Sequence, residues 1–517
     1  MRCPVNAYKK SILLIHPPIS KPCEPPAGLA KLSGALLAAG IDCRVYDANL
    51  EGILSLLDNP VSAHDTDTWS KRALGSIEAN LRSLKSKELY SSIDRYKRAV
   101  MDINRVLHIT GQKAGIRISL SNYTSTDLSP VRSSDLMKAA ERFYENPFYD
   151  HFQKRLTAFF CDNKPDIIGI SINFMSQALC AFAMAGFIRN KFFGTRIVFG
   201  GGLITSWKAI PGFGNPFSGL ADDLVAGPGE AALLSMCGKD SVSESKFTGY
   251  AYTRFPLDQY LVPGLILPYS TSRGCYWQKC KFCPEKSEQG AYKPMRIEDV
   301  MEDIHRLVRL TTPCLIHFLD NALSPRFLKH LIHNPPGVPW YGFVRITRHL
   351  TDPDFVKGLK AAGCVMLKLG IESGDQAVLD SLEKGIDINT VSKTLWTLKD
   401  AGISIYGYLL FGTPAETEAS AKKTLAFTMA HAQAIDFLNL AVFNLPAFSE
   451  DAKKLETSEF YQGNLSLYRD FTHPAGWNRD QVRRFLAKEF KHQPAIRSIL
   501  NNDPPFFTSN HAPLFVM

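Results

Sequence analysis

No stretch of the chain comes near the ~20 consecutive apolar residues of a membrane-spanning helix, so no transmembrane segment is expected. The apolar run Ser11–Ile15 follows two lysines, but it is too short for the core of a secretion signal, and no small-residue cleavage site follows it. A dense basic block is missing as well. The formal charge of +9 over 517 residues is spread thinly, which excludes the concentrated patch that grips nucleic acid. Paired cysteines are scarce. Eleven is an odd number, and Cys161, Cys180, Cys314 and Cys364 stand singly in apolar runs, as small buried hydrophobes do in a reducing compartment. Cys3, Cys23, Cys43 and Cys237 have no ligand-like neighbours either. These absences predict a soluble, cytoplasmic protein.

What is present is ordinary globular composition, 45% hydrophobic and 21% charged, at a length that suits two or three packed domains. SILLIH (11–16), a helix over Gly28–Ala39 ended by Gly40, and CRVYD (43–47) form a βαβ unit, which demands a parallel sheet. From about 52 to 160 the rhythm breaks into helical spacing. Leu74, Ile77, Leu81 and Leu84 make one stripe, and Ile93, Tyr96, Val100 and Ile103 another. Strands return at PDIIGISI (165–172), TRIVFGGG (195–202) and DDLVAGPGE (222–230). Residues 1–240 thus read as a doubly wound, Rossmann-like domain with a helical insertion, and 241–264 as a linker that includes the polar SVSESKF.

From 265 to 450 six strands alternate with helices: LILPYSTS (265–272), CLIHFLD (314–320), WYGFVRI (340–346), CVMLKLGIES (364–373), ISIYGYLLFG (403–412) and FLNLAVFNL (437–445). Ile297, Val300, Met301, Ile304, Leu307 and Val308 give the first connecting helix its stripe. The simplest product is a partial (β/α)6 barrel of TIM type, whose functional groups gather at the carboxyl ends of its strands. Residues 451–517 hold one more amphipathic helix (Val482, Phe485, Leu486, Phe490) and read as a small helical cap.

One group of cysteines departs from the solitary pattern. TSRGCYWQKCKFCPE sets Cys275, Cys280 and Cys283 directly after the first barrel strand. Three thiolates in nine residues can hold three irons of a [4Fe–4S] cluster and leave the fourth open to a ligand. Structural zinc is the alternative. It wants four ligands in spaced pairs, and only His305 and Cys314 stand near enough to complete the set.

On these residues the chain resembles the radical S-adenosylmethionine (SAM) superfamily, and its subgroup with an amino-terminal cobalamin-binding domain. The resemblance covers roughly 10–50 and 165–445. The family's usual pattern has three residues in the first cysteine gap. Here there are four, and Phe282 fills the aromatic slot before the last cysteine. The resemblance implies a [4Fe–4S] cluster on Cys275, Cys280 and Cys283, with Phe282 against the adenine of SAM. Asp320 and Asn321, in place of the family's Gly-Gly-Glu, are implied at the methionine amino group. Glu372 with Ser373 is implied at the ribose, the alternative for Glu372 being a cap on the helix at Asp375. Arg345 would pair with the SAM carboxylate, or else make a surface salt bridge. Gly412 in GYLLFGTPAET would let the backbone approach adenine.

In the first domain, PPISKPCEPPAGLAKLSGALLAAGIDCRVYDAN, GGGLIT and AGPGEAALL resemble cobalamin-binding radical SAM proteins. The implied contacts are Ser171, Asn173, Gly201, Gly202, Gly227 and Glu230; from spacing alone these glycines are tight turns. The Asp-x-His-x-x-Gly signature of an axial histidine is absent, His16 does not fit it, and Pro228 replaces an acidic residue common in the last turn. The resemblance therefore implies SAM cleavage at the cluster to a 5′-deoxyadenosyl radical, cobalamin as a further cofactor, and methyl transfer to an unactivated carbon. It also implies an electron donor such as flavodoxin or ferredoxin. The substrate is a small molecule, lipid or peptide, and no residue selects among them. A cobalamin-independent radical SAM enzyme with a vestigial first domain, and a non-catalytic iron–sulfur or zinc protein, are the competing readings.

Overall fold

The computed structural model describes residues 10–60, 67–112, 114–239, 249–288, 290–505 and 508–517; Cys3 and the polar segment 241–247 lie outside them. The chain forms two compact units, one of Met1–Lys85, Arg98–Leu261 and Gly463–Leu465, the other of Ser86–Lys97, Val262–Gln462 and Ser466–Met517.

The first unit is built on a parallel five-stranded sheet: β1 (Ile12–His16), β2 (Cys43–Asp47), β3 (Ile167–Ser171), β4 (Arg196–Gly200) and β5 (Asp223–Leu224). The order is β2-β1-β3-β4-β5, with Ile12 opposite both Cys43 and Ile167. Every residue of β1 is buried, as its unbroken apolar run demands of a strand covered on both faces. Helix α1 (Ala27–Ala38) makes the first crossover, and α2 (Met175–Lys191) follows β3. Helix α2 is Ala- and Phe-rich and buried along most of its length, so it lies inside the unit. At Gly186 it meets the helix Ser133–Glu141 so closely that a Cβ would fall 1.9 Å from the Ala140 carbonyl oxygen. The doubly wound expectation holds.

The interrupting segment is helical as expected, with a short antiparallel hairpin (Ile116–Ile118 with Tyr123–Ser125) that periodicity did not reveal. The first stripe breaks at Ser76 into two short helices and only Leu84 of it is fully buried, whereas Tyr96, Val100 and Ile103 are all buried.

The second unit holds six parallel strands in sequential order: β6 (Ile266–Tyr269), β7 (Leu315–Leu323), β8 (Trp340–Val344), β9 (Cys364–Glu372), β10 (Ser404–Phe411) and β11 (Phe437–Val442). Its first crossover helix, α3 (Ile297–Thr311), buries Val300, Met301, Ile304 and Leu307. β6 and β11 pair only with their inner neighbours, so the barrel is partial, as expected. Helix α4 (Gln376–Ser381) follows β9 and α5 (Glu418–Ala430) follows β10.

The tail is not purely helical. Leu445–Pro446, Thr457–Glu459 and Tyr468–Phe471 form a small antiparallel sheet before α6 (Arg479–Phe485). Beyond it Asp503 accepts the backbone N–H of Leu438 on β11 at 3.3 Å. No helix among the described residues is long and apolar enough to cross a membrane.

Candidate active site

Past β6 the chain enters the cysteine loop through a two-residue antiparallel ladder, Ser272–Arg273 against Lys293–Pro294. Inside it Gln278 takes φ +54°, and its side-chain amide donates to the Gly290 carbonyl at 2.8 Å. This left-handed residue absorbs the additional position of the four-residue gap. Trp277, in the same gap, donates its indole N–H to the Glu383 carbonyl at 3.0 Å, and the Arg345 guanidinium lies 3.7 Å over its ring. Gly385 is required beneath that ring: a Cβ there would fall 2.3 Å from it. The Lys281 N–H donates to the Leu382 carbonyl at 3.0 Å. The loop is thus docked on residues 382–385, directly after α4.

Burial raises the thiols of Cys280 and Cys283. The charges of Lys384 and Arg345 act on Cys280, and the N–H groups of Glu285 and Lys286 on Cys283, in the opposite sense, favouring the thiolates that metals need. No three His, Cys, Asp or Glu side chains among the described residues are drawn together as the ligands of one ion. A cubane spreads its thiolates over several irons, so it asks for a wider arrangement than zinc does. His305, one zinc candidate, hydrogen-bonds the Pro335 carbonyl instead, at 3.0 Å.

Glu372 ends β9 at φ +63°, a strained position for a side chain other than glycine's. Its Oε1 pairs with Lys384 Nζ at 2.7 Å, both groups nearly buried. Lys384 also lies 5.5 Å over the Phe282 ring. The cap that sequence offered as the alternative for Glu372 is made by Asp375, whose carboxylate accepts the Ala377 N–H at 3.2 Å. Arg345 is no surface ion pair: it is buried and donates to the carbonyls of Lys384 and Gly385.

Phe282, Arg345 and Glu372 therefore converge on Lys384, which sequence reasoning missed; a Lys-Gly pair directly after a helix was the available signal. Asp320 turns to the end of β6, accepting from the Thr271 N–H (2.9 Å), the Thr271 hydroxyl (2.8 Å) and Ser272. Asn321 donates to Glu285 at 2.9 Å, just past the last cysteine. Ser373 faces Thr424 on α5.

Gly412, after β10, takes φ +78°, and a Cβ on it would lie 3.2 Å from Val482 of α6. Its N–H donates to Glu416, whose Oε2 also accepts the Trp477 indole N–H at 3.0 Å. His473, Trp477 and Arg479 of the tail line a shallow pocket with Gly412, Val442 and Phe443 at the carboxyl ends of β10 and β11. The tail, read from sequence as a small helical cap, thus borders the carboxyl ends of β10 and β11.

Burial pushes Glu416 up to about 7, against the pull of the Gly412 and Trp477 donors. A carboxyl raised in the fold binds more protons folded than unfolded. The stability contributed by this group is therefore full below pH 4.5, is lost as pH rises to about 7 and stays lost above that. The loss is about 3 kcal/mol for this group, with Asp503, likewise pushed up to about 7, adding to it. Urea unfolding at stepped pH should show a shallower slope in Glu416→Gln; an unchanged slope would assign the whole effect elsewhere.

In the first unit the carboxyl edge of the sheet carries the other predicted residues. Asn173 receives the Gly202 N–H at 3.0 Å and donates to the Ser171 hydroxyl at 3.1 Å. Gly201 takes φ +101°, where a Cβ would lie 2.5 Å from the Ile172 carbonyl oxygen, so it serves the tight turn. Nothing within 4 Å opposes a Cβ at Gly227, whose N–H donates to Thr205 at 2.9 Å. Glu230 pairs with Lys31 at 3.4 Å. His16 is 5% exposed, with Nε2 2.8 Å from the Ser20 hydroxyl, so it is not presented as a metal ligand. The open edge and its glycines suit a broad ligand held without a protein imidazole.

Residues 269–428, from the end of β6 into α5, match the radical SAM superfamily. The matching span takes in Cys275, Cys280, Cys283, Arg345, Glu372 and Lys384. Among its relatives, an uncharacterized methyltransferase of Pyrococcus horikoshii is 24% identical over 362 residues, 63% of this chain and 74% of the relative. The anaerobic magnesium-protoporphyrin IX monomethyl ester cyclase of Rubrivivax gelatinosus is 27% identical over 207 residues, 38% of this chain and 36% of the relative. The radical SAM methyltransferase TsrM of Kitasatospora setae, solved with cobalamin and a [4Fe–4S] cluster, superposes with a TM-score of 0.51 at 14% identity, covering 86% of this chain and 78% of that one. At that identity the likeness is one of fold.

Proposed function

We propose that the chain cleaves SAM reductively at a [4Fe–4S] cluster held by Cys275, Cys280 and Cys283, and that it is a cobalamin-dependent methyltransferase acting on an unactivated carbon. The cysteine loop docked beside Arg345, Glu372 and Lys384, inside the span matching the superfamily, carries this reading. Bound there, the cluster would supply one electron, drawn from a flavodoxin or ferredoxin, for cleavage of the C5′–S bond of SAM to methionine and a 5′-deoxyadenosyl radical. Cobalamin would supply the carrier for a methyl group.

The protein's part is to bind and orient. Cys275, Cys280 and Cys283 would hold the cluster, and Arg345 offers its guanidinium to the SAM carboxylate. Glu372, held by Lys384, accepts from the ribose hydroxyls. Phe282 and the backbone at Gly412 flank adenine, and Asp320 with Asn321 fixes the loop end near the amino group. In the first unit Ser171, Asn173, Gly201, Gly202, Gly227 and Glu230 form the ledge for cobalamin. A methyltransferase of similar sequence and one of similar fold support methyl transfer.

Anaerobic incubation of the reconstituted enzyme with SAM and dithionite should yield 5′-deoxyadenosine and methionine in equal amounts. A chain that takes up iron and binds SAM without releasing either product overturns the proposal.

A further inference from the structure

The strand order β2-β1-β3-β4-β5 puts the switch point of the first sheet between β1 and β3, where open α/β sheets form a ligand-binding crevice at the carboxyl edge. Two loops bound it, residues 17–26 after β1 and 172–174 after β3. Gln177, wholly buried, ties them together. Its amide oxygen accepts the N–H groups of Asn173 at 2.8 Å and Phe174 at 3.1 Å, and its NH2 donates to the Pro17 carbonyl at 2.8 Å. The Ser176 hydroxyl adds a bond to the Ile19 carbonyl at 2.8 Å.

The backbone of Phe174 is therefore fixed at the rim, while its side chain is 56% exposed. Five large apolar side chains are exposed among the described residues of this unit: Trp69, Met101, Tyr144, Phe174 and Phe193. Phe174 alone stands at the carboxyl edge of the sheet. It also occupies the N-cap of α2, a position that favours Ser, Thr, Asn or Asp, and makes no side-chain capping bond there. A phenyl ring that neither caps its helix nor packs into the core is available to a ligand.

We propose that Phe174 is the platform on which the flat macrocycle of cobalamin rests in this crevice. The inference builds on the cobalamin reading above. A ring on an immobilised backbone gives a planar ligand apolar contact at small entropic cost. With His16 spent on Ser20, that contact acts through surface area and leaves the cobalt's ligands alone.

The test is titration of the full-length, anaerobically reconstituted enzyme with hydroxocobalamin, followed by visible absorbance and by retention through gel filtration. Phe174→Ala should weaken binding about tenfold or more, and Phe174→Trp should stay within about threefold of wild type. The bound spectrum should keep its shape in every variant. Thermal midpoints of the apoproteins should agree, since the ring is exposed. Equal affinity in wild type and Phe174→Ala overturns the platform but leaves cobalamin binding intact. A wild type that retains no hydroxocobalamin overturns the cobalamin reading, and the platform with it.

Discussion

Replacing any one of Cys275, Cys280 or Cys283 by alanine is expected to abolish 5′-deoxyadenosine formation and to strip the reconstituted protein of most of its iron. Wild type should hold about four irons per chain. Each thiolate bonds a different iron, so removing one leaves a second corner open and the cluster degrades to smaller species. The solitary cysteines supply the control. Cys364 is fully buried and lies at the start of β9, and burial pushes its thiol well up, so it behaves as an apolar filler. Cys364→Ala should keep full iron content at a stability cost of about 1 kcal/mol. Iron and activity analysis of the four variants side by side decides the matter. If the loop variants keep their iron, or if wild type takes up one zinc instead, the cluster assignment fails.

The second large effect is expected at Lys384. Lys384→Met removes the partner of Glu372 and leaves a carboxylate almost without solvent on a strained backbone. Breaking a buried pair from one side costs about 3–5 kcal/mol, mostly through the charge left behind. Urea unfolding should show a loss of that order, and the double variant Glu372→Gln/Lys384→Met should recover most of it. Both should bind SAM weakly in equilibrium dialysis. If Lys384→Met alone is as stable as wild type, the pair does not hold the end of β9, and the orienting role given to Lys384 falls.

The parts of this molecule that could be read from its sequence are those whose chemistry is local. Buried strands announced themselves as continuous apolar runs, and three thiols in nine residues singled out the loop that docks on residues 382–385. The two three-residue strands of the hairpin at 116–125 were too short to show alternation. Lys384 lies twelve residues beyond Glu372, and the two meet because α4 turns the chain back over the strand end. Trp277 drew no reading from the sequence, because its role as the contact for Arg345 and Gly385 depends on segments far along the chain. Trp477 and Glu416 were separated further still, and their bond gave the tail a place beside β10 that no periodicity encodes.

The incomplete closure of the barrel leaves β11 with an outer flank of backbone donors and acceptors, the kind of surface to which stray strands from other chains adhere. Asp503 occupies one of those donors, at Leu438, with a carboxylate. The last segment of the chain thereby acts as a guard against self-association. Shortening the protein ahead of that segment would bare a sticky flank and turn a problem of catalysis into one of solubility.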